Sequence, residues 1–98
     1  MATYVTLLNF TEQGVSKIKD TCKRAANFAA TAKKMGVDVK DIFWTLGAHD
    51  GVIVFDAADD AAATAAMLGL SSLGNVTSET LRAFRAPEME QILKKASR

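Results

Sequence analysis

Hydrophobic positions along this chain switch between a period of two and a period of three to four, and each switch marks a change of element. Over residues 3–10 the alternation sets Tyr4, Thr6, Leu8 and Phe10 on one strand face and Val5, Leu7 and Asn9 on the other. Apolar side chains on both faces predict a central strand. Thr11 then stands as an N-cap ahead of Glu12, and Val15, Ile18, Cys22, Ala25, Ala29 and Ala32 recur at spacings of three and four. That stripe predicts one helix of about six turns closing near Met35 and Gly36. Lys17, Lys19, Lys23, Arg24, Lys33 and Lys34 fall on its opposite face, and the small residues of the stripe let it lie close against a sheet.

A second strand over residues 40–46 and a third over residues 51–56 meet across a turn at residues 47–50, which predicts an antiparallel hairpin. Asp59 or Asp60 opens an Ala-rich helix over residues 61–68, and Gly69, Ser71, Ser72 and Gly74 mark its end. Alternation returns over residues 76–84, with Val76, Ser78, Thr80, Arg82 and Phe84 on one side and Thr77, Glu79, Leu81 and Ala83 on the other. Pro87 suits the first turn of a short terminal helix carrying Met89, Ile92 and Leu93. This order predicts an α+β, ferredoxin-like βαββαβ fold: a four-stranded antiparallel sheet, helices on one face, and a short C-terminal helix added. The other face would leave apolar side chains in water. The expected state is therefore a homo-oligomer, dimer or higher, assembled through the sheet as a dimeric α/β barrel, with the terminal helix embracing the neighbour.

Length bounds the chain to one domain, residues 1–98, with room for a single core. Hydrophobic residues make up 49% against 23% charged, which describes a folded chain. No apolar run approaches the roughly 18 residues that a membrane helix needs. Residues 1–5 run into a strand pattern without the basic and apolar segments of a secretion signal, and Cys22 is the lone cysteine. A reducing, cytoplasmic setting is expected. A net charge of +1 offers no broad field for nucleic acid or an anionic membrane surface, and neither is expected as a partner.

Three stretches carry a resemblance that spans nearly the whole chain: residues 2–14, from Ala2-Thr3-Tyr4-Val5 to Glu12-Gln13-Gly14; Val39-Lys40-Asp41-Ile42-Phe43-Trp44-Thr45-Leu46-Gly47; and Ser72-Leu73-Gly74-Asn75-Val76 with Leu81-Arg82-Ala83-Phe84. In these the sequence resembles the GYD domain family of small bacterial proteins. The Gly-Tyr-Asp signature of that family falls on Gly47-Ala48-His49-Asp50, with His49 where a Tyr is usual. The exchange replaces a phenol by a ring that titrates near neutral pH. The resemblance implies a ferredoxin-like fold and oligomerisation, and it brings no established reaction.

Candidate chemistry gathers at the hairpin, which holds the chain's one Trp and one His. His49 and Asp50 form either an acid/base pair, the carboxylate orienting the imidazole, or simply a turn, since Asp50-Gly51 is a favoured turn dipeptide. Trp44 either stacks on a flat ligand or fills a core or interface. Asn9 either bonds a ligand above the sheet or closes the turn into the first helix. Arg82, a long cation on a half-buried strand, needs a carboxylate, from a ligand or, preferably, from a neighbouring subunit. Cys22 on the apolar stripe reads as a small hydrophobe rather than a nucleophile. One His and one Cys lack the clustering of a metal site, and the two-glycine stretch at residues 69–75 follows a helix instead of opening one, unlike a phosphate loop.

Two functions of different class follow. The preferred one is an oligomeric binding or interaction module that accepts a small, partly apolar metabolite between sheet and helices, with no cofactor. The alternative is a cofactor-independent enzyme of the dimeric barrel type, monooxygenase- or isomerase-like, in which His49 and Asp50 handle protons while Trp44 and Asn9 position the substrate.

Overall fold

The computed structural model describes residues 1–97. Strands β1 (Ala2–Phe10), β2 (Asp38–Trp44), β3 (Gly51–Ala57) and β4 (Val76–Ala83) form one antiparallel sheet in the order β2-β3-β1-β4. Helix α1 (Glu12–Ser16), a 3-10 turn (Ile18–Asp20) and helix α2 (Thr21–Lys34) connect β1 to β2. Helix α3 (Asp60–Ser71) connects β3 to β4, and α4 (Ala86–Ala96) follows β4. This is the α+β, ferredoxin-like arrangement that the periodicity predicts, with β1 at the centre.

Antiparallel register assigns each strand residue to a face, because directly opposed residues point the same way. Tyr4 opposes Phe55 and Arg82, and Thr6 opposes Ile53 and Thr80, so these share the side that α3 covers through Met67 and Asp60. Val5 opposes Val54 and Leu81, and Leu7 opposes Val52 and Glu79, on the other side. Strand β3 shows the consequence residue by residue: Gly51, Ile53, Phe55 and Ala57 are buried, while Val52, Val54 and Asp56 between them are half-buried. The core joins Tyr4, Ile53 and Phe55 to Ala32 and Val37 and to Ala63, Ala66 and Met67 of α3. Tyr4 stacks on Phe55 with ring centroids 5.3 Å apart. The fully buried Thr6 hydroxyl is satisfied by Thr80 Oγ1 at 2.8 Å and the Met67 sulfur at 3.2 Å.

The first helical segment departs from the prediction of a single long helix. Thr11 caps α1 as expected, its hydroxyl accepting from the Gly14 N–H at 3.1 Å, but α1 is also tied to the loop before β4. The Thr11 N–H donates to the Asn75 carbonyl at 3.1 Å, its hydroxyl to the Gly74 carbonyl at 2.6 Å, and Gln13 Nε2 to the Leu73 carbonyl at 2.9 Å. Gly14 lies so near this loop that a Cβ there would sit 2.0 Å from the Asn75 oxygen. Docked in this way, α1 ends at Ser16 and the chain turns before α2 begins. Up to the first turn of α2 the stripe fails, with Val15, Ile18 and Cys22 exposed, while farther along α2 Ala25, Ala29 and Ala32 turn inward as predicted and Phe28 joins them. Cys22 is thus a surface thiol rather than a buried one.

Elsewhere the boundaries shift modestly. Strand β2 starts at Asp38, two residues before the predicted start, and carries a bulge between Val39 and Asp41. Helix α3 opens on Asp59, whose carboxylate accepts from the Ala62 N–H at 2.9 Å, and runs through Gly69 to Ser71. Helix α4 buries none of its residues. Phe43 stays 53% exposed and Leu81 45% exposed on the side of the sheet away from α2 and α3. The accessible surface of 6509 Å² exceeds the about 5,400 Å² expected of a compact monomer of this mass. The radius of gyration, 14.8 Å, likewise exceeds about 12.6 Å for this length. Among the described residues, no helix is long and apolar enough to cross a membrane.

Candidate functional site

Helices α2 and α3 lie on the same face of the sheet and leave a groove of about 380 Å³ between them. Leu8, Ile42 and Ile53 form its floor, Phe28 and Leu70 its two walls, and Trp44 one end. Small residues hold it open. Ala25, Ala66 and Gly69 bring little side chain to the helix walls, and a Cβ at Gly51 would lie 3.7 Å from Leu8 Cδ1 and 3.1 Å from the Phe43 carbonyl oxygen. The volume falls within the roughly 300–1,000 Å³ of small-molecule sites.

Polar groups collect where α2 begins. Trp44 Nε1 donates to Thr21 Oγ1 at 3.0 Å, which ties the end of β2 to the start of α2. Arg24 borders the groove, with Nη1 donating to the Lys17 carbonyl at 2.7 Å and Nη2 to the Gly14 carbonyl at 3.5 Å. These bonds span the break between α1 and α2, so the same discontinuity that interrupts the predicted helix also fixes a guanidinium at the groove. Sequence reasoning placed Arg24 on the solvated back of a continuous helix. The spacing of Thr21, Arg24, Phe28 and Met35, all of which line the groove, is the signal that would have found it.

The hairpin tip separates the residues that sequence reasoning grouped. His49 Nδ1 is 3.0 Å from Asn9 Oδ1, while Asn9 Nδ2 donates to the Ala48 carbonyl at 2.8 Å. Asp50 Oδ2 instead accepts from the Phe10 N–H at 2.8 Å. His49 and Asp50 thus direct their bonds to different partners. The positive φ of the loop falls at Gly47, +102°, whereas Gly51 is already the first residue of β3. Trp44 and Asp50 border the groove; Asn9 and His49 are outside its lining.

Arg82 occupies a different place, a recess of about 400 Å³ between α3 and β4 that also holds Tyr4, Asp60 and Thr80. Its guanidinium lies 4.5 Å from the Phe84 ring centroid and 5.6 Å from that of Tyr4. It donates to the Thr3 and Ala83 carbonyls and pairs with Glu88 at 3.0 Å. A carboxylate partner is thus supplied within the chain, by α4. The hydrogen bond from Arg82 holds Glu88 below the ordinary glutamate value of 4.5. Tyr4 donates to Asp60 at 2.5 Å, and that bond, followed by burial, raises the phenol above its ordinary 10.0. Among the described residues no group of three or more His, Cys, Asp or Glu side chains is placed to hold a metal ion.

The family model of the GYD domain matches residues 4–93, which takes in β2, β3, β4, all but the first two residues of β1, and most of α4. Neither a curated protein nor a solved structure matches the chain. With the match running from the central strand to the terminal helix, the chain belongs to the GYD domain family.

Proposed function

We propose that the protein is an oligomeric binding module whose groove between sheet and helices accepts a small, partly apolar metabolite. The observation that carries this reading is the groove: about 380 Å³ of apolar-walled space between α2, α3 and the sheet. Hydrocarbon placed there leaves water without displacing any protein hydrogen bond. The enzymatic alternative finds less support, since His49 and Asp50 bond to Asn9 and to the Phe10 backbone rather than to each other. A cytoplasmic setting belongs to this reading, supported by the lone cysteine.

Assembly is the second half of the proposal, and a second copy is the occupant of the open face. Val5, Leu7, Val52, Val54 and Leu81 form its apolar centre, with Asp41, Asp56 and Glu79 around it. Helix α4 offers the complement: Met89, Ile92 and Leu93 followed by Lys94 and Lys95, charges opposite to that rim. The monomer's surface excess of about 1,100 Å² also compares with the roughly 800 Å² each partner buries in a standard interface.

Titration of isotope-labelled protein with 1-octanol tests the groove. Saturable shifts of the Ile42, Ile53 and Leu70 methyl signals are expected, and their absence up to the solubility limit overturns the reading. A Cβ at Gly69 meets nothing within 4 Å, so Gly69→Leu should fill the groove and abolish these shifts while the protein stays folded.

A further inference from the structure

The geometry points to a ligand class for this groove: an amphipathic monocarboxylate, its carboxylate on Arg24 and its hydrocarbon body over Trp44, Phe28 and Ile53. The inference rests on the groove being a ligand site and adds what the ligand must carry. Arg24 is half-buried, and its recorded acceptors are both main-chain carbonyls, which hold the guanidinium in place without neutralising it. Among the described residues no carboxylate lies within ion-pair distance of Arg24; the ion pairs there are Lys40 with Asp38 and Arg82 with Glu88. A guanidinium has five N–H donors in a planar fork that fits a carboxylate, and the two carbonyls leave some of them unused. The rest of the groove is walled by hydrocarbon, so an anionic head beside Arg24 and an apolar body beyond it match the site in both parts.

Asp50 is the other charged side chain that borders the groove. One of its oxygens is already bonded to the Phe10 N–H, and its negative charge disfavours a second anionic group on the ligand. One carboxylate suits the site better than two. The adjoining polar groups, Thr21, Asn27 and Asn75, are neutral and can accommodate a hydroxyl on the ligand without altering its charge.

The test compares 1-octanol, octanoate and octylamine by calorimetry on the full chain at neutral pH, with groove occupancy followed by Trp44 fluorescence. Octanoate is expected to bind about tenfold or more tightly than octanol, because the charged bond to Arg24 is available to the carboxylate alone. That advantage should shrink in high salt. Arg24→Gln should remove the preference, lowering octanoate affinity at least tenfold relative to octanol. If loss of the bonds across the helix break unfolds this variant, Arg24→Lys keeps the charge without the fork and should retain part of the preference, and the salt dependence of the unsubstituted protein stands as the independent readout. Equal binding of octanoate and octanol overturns the assignment to Arg24 and leaves the groove intact. Tighter octylamine binding overturns it in favour of Asp50. Failure of all three probes to bind overturns the groove reading itself.

Discussion

The two faces of the sheet are built from the same strands, yet they end in different environments. On the covered face Phe55 is fully buried and Tyr4 4% exposed, whereas on the open face Phe43 and Leu81 keep about half their surface in water. The helices separate the two, and so does charge, since Asp38, Asp41, Asp56 and Glu79 all fall on the open face. The covered face is held together by packing within one chain, and where α2 and α3 part it opens into the groove. The open face has an apolar centre and no cover from its own helices. One face thus serves folding and holds the groove, and on the proposed reading the other receives a second copy.

Substitutions sharpen this contrast in order of size. Phe55→Ala removes a side chain with no accessible surface that stacks on Tyr4, and it should lower unfolding free energy by about 3–5 kcal/mol in urea titrations. Thr6→Val keeps the shape but deletes the buried hydroxyl. Its partner Thr80 is exposed enough to bond water instead, so the loss should lie near the low end of about 0.5–1.5 kcal/mol. A cost as large as that of Phe55→Ala would mean that the polar pair, not the apolar packing, organises the covered face.

The smallest expected effects follow pH, with opposite signs at two places. Glu88 has a lowered folded value, so the stability from its pairing with Arg82 is fully present above 4.5 and is lost as pH falls through the folded value. Glu88→Gln should flatten the acid side of the stability profile and meet the unsubstituted protein at low pH. Tyr4 has a raised folded value, so its contribution is present below 10.0 and is lost as pH rises through the folded value. Tyr4→Phe should flatten the alkaline side. A Glu88→Gln profile that runs parallel to that of the unsubstituted protein at all pH values would show that α4 is not anchored through this pair.

Much of this architecture was legible in the amino-acid order. The alternation of β3, the Thr11 and Asp59 caps, the hairpin and Pro87 at the start of α4 are local signals, and local chemistry decides them. The break after Ser16 was not legible, because it depends on Gly14 meeting Asn75, sixty-one residues away in the chain. Arg24 and Phe28 were consequently assigned to the wrong side or passed over. The site was harder to read than the fold for the same reason. Adjacency in sequence left a pairing of His49 with Asp50 open beside a plain turn, and the hairpin carries His49 to Asn9 and Asp50 to the end of β1. Arg82 needed a carboxylate, and the one it found, Glu88, is supplied by the direction of α4.

Sedimentation velocity at micromolar concentration, run on the unsubstituted chain beside Leu81→Asp, tests most directly whether the open face is a contact between copies. Leu81 lies beside Val5 at the apolar centre, and at 45% exposure its replacement should cost a single chain about 1–2 kcal/mol. The account predicts a dimer or larger species for the unsubstituted chain, and a monomer with unchanged far-ultraviolet circular dichroism for Leu81→Asp. A monomer for the unsubstituted chain would contradict it.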